Sequence, residues 1–120
     1  MTSTLTSQTV VNAEASSTPV AYAYMRVPPD IEDDKVKRME LEFGFFAVRR
    51  GLALARIFPE FVCGVHDVFN ELLEEIQRTD ARYVILPTLR HLARNGFLQD
   101  VLLDRLRFAG AEVFCLVEDS

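Results

Sequence analysis

Four side chains have the chemistry to hold an anion: Arg26, Arg90, His91 and Arg94. Guanidinium groups fork onto the oxygens of a phosphate or carboxylate, and an imidazole adds one more donor. Arg26 follows the apolar run Val20-Ala21-Tyr22-Ala23-Tyr24-Met25, and the other three follow a second apolar run, Tyr83-Val84-Ile85-Leu86. If both runs are parallel strands of one sheet, the four groups gather at one rim. That rim lies outside the strands' carboxyl ends, where open α/β sheets place their ligands. The alternative is pairing with carboxylates such as Asp30, Glu32 or Asp100, the commoner fate of a surface arginine. Cys63, His66, Asp67 and His91 also carry metal-ligating atoms. A single Cys-x-x-His has no second pair at ligand spacing, so no metal site is expected. The five glycines are scattered as caps and turns and form no phosphate loop, and no cofactor is expected.

The elements that position this rim follow from patterning. Val20 to Val27 reads as a strand ended by Pro28 and Pro29. Asp30 is a candidate N-cap, and Glu32, Asp33 and Asp34 load the next turn with the charge a helix N-terminus favours. The helix is expected to run to about Arg50, with Gly51 as its stop. Val36, Met39, Phe43, Phe46 and Ala47 make one apolar face at helical spacing. Leu41, Phe45 and Val48 make a second stripe on roughly the opposite face, where a helix lying on a sheet needs none. Leu52 to Phe58 reads as a strand ended by Pro59, and Glu60 to Val65 as loop. Asp67 can cap a helix to about Arg78 with Val68, Phe69, Leu72, Leu73 and Ile76 inward. Tyr83 to Leu86 is continuously apolar, as central parallel strands are. Leu89 to Arg94 is a basic connection with room for one helical turn. A last helix from Gly96 to about Ala109 turns Phe97, Leu98, Val101, Leu102 and Leu106 inward, and Glu112 to Val117 is the fourth strand. The order β-α-β-α-β-α-β predicts an α/β fold: three layers, a mainly parallel four-stranded sheet, helices on both faces.

Composition narrows the function. The chain has 120 residues, 49% of them hydrophobic, which suits one domain with a sizeable core. Its net charge of −5 disfavours sequence-independent binding to nucleic acid, which needs clustered positive charge. No apolar run approaches a membrane span, and the start of the chain has no secretory pattern, so a cytoplasmic protein is expected. Cys63 and Cys115 read as reduced core thiols. Residues 1–18, rich in Ser and Thr, read as a disordered tail ahead of a single domain spanning 19–120.

The chain from about Ala21 to Asp119 resembles the N-terminal catalytic domain of serine recombinases, the resolvase/invertase family. Tyr24-Met25-Arg26-Val27 is similar to the family's Tyr-x-Arg-Val-Ser. Leu89-Arg90-His91-Leu92-Ala93-Arg94 is similar to its Leu-Asp-Arg-Leu-x-Arg. The resemblance implies a resolvase-like fold and puts Arg26 and Arg94 on arginines that crowd the scissile phosphate. It also places Pro28 where the family has its nucleophilic serine, Arg90 where it has an acid, and His91 where it has an arginine. Proline has no hydroxyl to become an alkoxide. After the fourth strand the chain has no counterpart of the family's long dimer helix or its helix-turn-helix domain. The expectation is therefore a resolvase-like domain that is not an enzyme and acts through a protein partner, most simply as a homodimer. Leu41, Phe45 and Val48 are its expected interface. The runners-up are a DNA-recombination accessory that binds DNA or an active recombinase, and a binder of a small anion at the arginine rim.

Overall fold

The computed structural model describes residues 18–61, 65–79 and 81–117. Strand β1 (Val20–Arg26) is followed by α1 (Asp33–Arg49), β2 (Ala53–Glu60), α2 (Asp67–Thr79) and β3 (Tyr83–Leu86). A single 3-10 turn (Leu89–His91), α3 (Gly96–Phe108) and β4 (Glu112–Cys115) complete it. The four strands form one sheet in the order β2-β1-β3-β4, and every pairing is parallel. The expected α/β sandwich is present, with β1 and β3 at its centre.

Alternation along β1 builds both cores. Ala21, Ala23, Met25 and, just beyond, Val27 face α1, where they pack with Phe43, Phe46, Ala47, Leu52 and Ile85. Tyr22 and Tyr24 face α2 and α3, with Phe58, Phe69, Leu72, Ile76, Val84, Leu86, Leu102 and Leu106. The small alanines let α1 approach the sheet. The tyrosines fill the wider layer edge-to-face, Tyr22 on Phe58 at 5.4 Å and Tyr24 on Phe69 at 5.6 Å between ring centroids.

Several boundaries differ from expectation, each for a local reason. Strand β2 runs through Pro59 to Glu60. It is an edge strand, and an edge tolerates proline where the missing N–H would point outward. The Glu60 carbonyl accepts from Val27 N–H across the pair, so the alternating backbone turns Pro59 away from β1. Helix α1 starts at Asp33 after Glu32, not at an Asp30 cap, because Pro28 and Ile31 close a turn first. Asn95 caps α3, its side chain accepting from Leu98 N–H at 3.1 Å. That cap rotates Phe97 outward, 79% exposed, instead of into the core. Gly51 and Gly110 end α1 and α3 at φ of 71° and 100°, a region that favours glycine. The expected tail and Cys63 lie outside the described residues, apart from Thr18.

Candidate functional site

The sheet's carboxyl rim is built around Arg26. Its backbone N–H donates to His91 Nδ1 at 2.9 Å, which ties the end of β1 to the turn after β3. Because an amide N–H only donates, His91 Nδ1 is an acceptor, and the neutral ring carries its proton on Nε2. Burial, and secondarily the Arg26 charge, holds the His91 pKa below the usual histidine value. The guanidinium is fixed by carbonyls: Nη2 donates to Val65 O at 3.0 Å and to Leu92 O at 3.4 Å. Its Nη1 is buried and has no hydrogen-bond partner among the described residues. His66 Nε2 lies 3.2 Å from the same Leu92 carbonyl.

Of the predicted rim residues, Arg26 and His91 are in direct contact. Arg90 lies in the 3-10 turn and Arg94 just beyond it, both exposed. Among the described residues, the ion pairs are Arg56–Glu71 and Arg78–Glu75, so neither Arg26 nor Arg94 is paired with a carboxylate. Pro28 follows β1 and is exposed. Among the described residues no cluster of His, Cys, Asp and Glu could hold a metal ion.

Glu60 escaped the sequence reading, which put it in a loop. It is buried, 2% exposed, at the end of β2. Its carboxylate accepts from Tyr24 OH at 2.6 Å and from the N–H groups of Val68 and Phe69 at 2.9 and 3.1 Å. It thus serves the orphan donors of the first turn of α2 in place of Asp67. Burial, and then the hydrogen bond to Glu60, pushes the Tyr24 hydroxyl's pKa far up, so it stays a donor. The signal in the sequence was an acid directly after an apolar run and a proline, seven residues before the start of a helix (Glu60 to Asp67).

The α1 stripe is where it was expected. Phe43, Phe46 and Ala47 are buried, whereas Leu41, Phe45 and Val48 are 61%, 60% and 76% exposed. No helix of the described residues is long and apolar enough to cross a membrane.

No protein-family model and no curated protein matches the chain. Solved structures do. The C-terminal catalytic domain of ISC1926 TnpA, an IS607-like serine recombinase, matches with TM-score 0.72 and 13% identity, over 84% of this chain and 72% of that one. A resolvase family site-specific recombinase from Streptococcus pneumoniae matches with TM-score 0.71 and 19% identity, over 82% and 72%. The catalytic domain of IS1535 TnpA, also IS607-like, matches with TM-score 0.55 and 21% identity over the same shares. The fold is the one seen in serine recombinase catalytic domains, as the sequence resemblance implied. That finding corrects one expectation: these scaffolds are those of enzymes, so "not an enzyme" does not stand. Proline at position 28 bears on which group could attack, since it supplies no hydroxyl, and not on the class of the scaffold.

Proposed function

We propose that this chain serves DNA recombination and does so through a protein contact made by the outer face of α1. One observation carries the reading. Leu41, Phe45 and Val48 stand exposed in neighbouring turns of a helix whose opposite face already fills the core. Soluble monomers rarely leave such a patch uncovered. The partner is a protein, most simply a second copy of the chain. Phe45 is its anchor, because aromatic side chains concentrate binding energy at interface centres. Light scattering on the full chain tests this: Phe45→Asp lowers the mean mass to that of the monomer. An unchanged mass would refute it.

A second observation favours an oxyanion at the rim. Arg26 Nη1 is buried without a partner among the described residues, and neutral His91, whose Nδ1 accepts from the Arg26 amide, keeps an Nε2–H as a donor. A buried cationic donor left unpaired is costly, and a phosphate oxygen satisfies it. The anion-holding set is Arg26, Arg90, His91 and Arg94. Phosphate is expected to raise the melting temperature above that in chloride by mass action. The Arg26→Ala/Arg94→Ala protein is expected to lose that difference whatever its own stability. Equal responses in both proteins would end this reading. A band shift with short duplex DNA at low salt separates a phosphodiester from a free anion.

A further inference from the structure

Helix α1 lies on one face of the sheet and the α2–α3 pair on the other. The surfaces they turn to solvent differ in kind. On α1 the stripe of Leu41, Phe45 and Val48 is preceded, one turn earlier on the same side, by exposed Lys37 and Arg38. The opposite face carries a groove of about 390 Å³ between α2 and α3, lined by Leu73, Gln77, Asp104, Arg105 and Phe108. Phe108 is 94% exposed there, and exposed Glu74 follows Leu73 in α2.

We propose that copies of this chain associate head to tail, the α1 stripe of one copy seating Phe45 in the α2–α3 groove of the next. This rests on the reading of α1 as a protein contact and specifies its partner surface. The stripe presents an apolar ridge and the groove an apolar slot. Lys37 and Arg38 face the carboxylates that the α2–α3 side offers, Asp104 in the groove and exposed Glu74 on α2, with Arg105 the one base of the lining; none of Lys37, Arg38, Asp104 and Glu74 forms an ion pair among the described residues. Charge steers such an encounter and sets its orientation. Because stripe and groove lie on opposite faces, the contact is heterologous and leaves one free surface at each end. Such assembly grows unless it closes into a ring. A three-residue stripe against one groove belongs to the small, transient class of interfaces, so growth follows protein concentration.

The experiment is light scattering over a concentration series on three proteins: wild type, Phe45→Asp and Phe108→Asp. The wild type is expected to pass the mass of a dimer as concentration rises, and each variant alone to stay monomeric. Both sites are exposed, and unchanged melting by circular dichroism checks that each variant folds. Mixed in equal amounts, the variants are expected to form a pair that does not grow. The Phe108→Asp chain keeps its stripe, and the Phe45→Asp chain keeps its groove. Asp104→Arg should also block growth, and Arg38→Asp in the same chain should restore it. A wild type that stops at a dimer, with Phe108→Asp behaving like it and Phe45→Asp monomeric, overturns the head-to-tail arrangement and leaves the α1 contact standing. A wild type that is monomeric at every concentration overturns both.

Discussion

Glu60 has one carboxylate for three donors from two elements, and all of them are buried or nearly so. Glu60→Ala strands the Tyr24 hydroxyl and two amides, each at about 1–3 kcal/mol. We expect a loss of about 3 kcal/mol or more in urea unfolding. In the Tyr24→Phe background the loss should be smaller, because one stranded donor is already gone; additive losses would show that the pair is not coupled. His91 acts through pH. Its folded pKa is lowered, so the folded chain releases this proton more readily than the unfolded one. Where the two states differ, the unfolded chain binds the extra proton, and stability rises with pH. The contribution is complete above the ordinary histidine value of 6.5 and is lost as pH falls through the lower folded value. Asn offers Oδ1 where His91 offers Nδ1, so His91→Asn keeps the Arg26 N–H satisfied and removes the titration. Melting temperatures from pH 7.5 down to 5 should fall less steeply in this variant. Equal slopes would place the acid sensitivity elsewhere.

Helix α1 shows how far an element could be read from its letters. Its two stripes follow from spacing alone, and their burial agrees: Phe43 is 0% exposed and Phe45 60%. The stability consequence is as unequal as the burial. Phe43→Ala should cost about 3–5 kcal/mol in denaturant unfolding, whereas Phe45→Ala should stay within about 0.5 kcal/mol. A large loss from Phe45→Ala would mean that the stripe is covered within its own chain. Helix α3 was harder to read. Its apolar residues exceed what one face can bury, and only the Asn95 cap decides that Leu102 and Leu106 turn in while Phe97 and Phe108 turn out. At the rim, Arg26 and His91 could be placed on one side of the sheet because one ends a recognisable strand and the other lies shortly after a second. The carbonyls of Val65 and Leu92 that fix Arg26 could not be anticipated, because backbone acceptors leave no mark on residue type. Glu60 was missed for a related reason: proline ends a strand in the interior of a sheet, and nothing in the sequence said that β2 lay at the edge.

At the scale of the molecule, the centre of the sheet is the part least open to water. Ala21, Ala23, Val84, Ile85 and Leu86 are all fully buried, between a single helix on one side and two on the other. Their amides should be the last to exchange with deuterium, and those of the short edge strand β4 should exchange sooner. Equal protection across the sheet would contradict this layering. The far edge is secured differently. Arg50, at the end of α1, stacks over Phe46 at 4.8 Å and over Phe114 of β4 at 5.0 Å, and Tyr83 stacks on Phe114 at 5.8 Å. A cation on aromatic faces there joins helix to edge strand, so Arg50→Ala should raise exchange in β4 before it affects β1.

Pro59, which lets β2 continue along the edge, also determines what that edge cannot do. With its ring nitrogen turned outward, β2 has no donor at that position to offer a strand from another molecule. At the opposite margin, β4 is only four residues long. Neither margin is a good template for cross-β growth, because natural sheets blunt their edges in just these ways. Self-association of the native protein should therefore dissolve on dilution and leave thioflavin dark. Replacing Pro59 with Val would restore the missing donor and lengthen the usable edge. That variant, held at a temperature just below melting, is where fibrils should first appear.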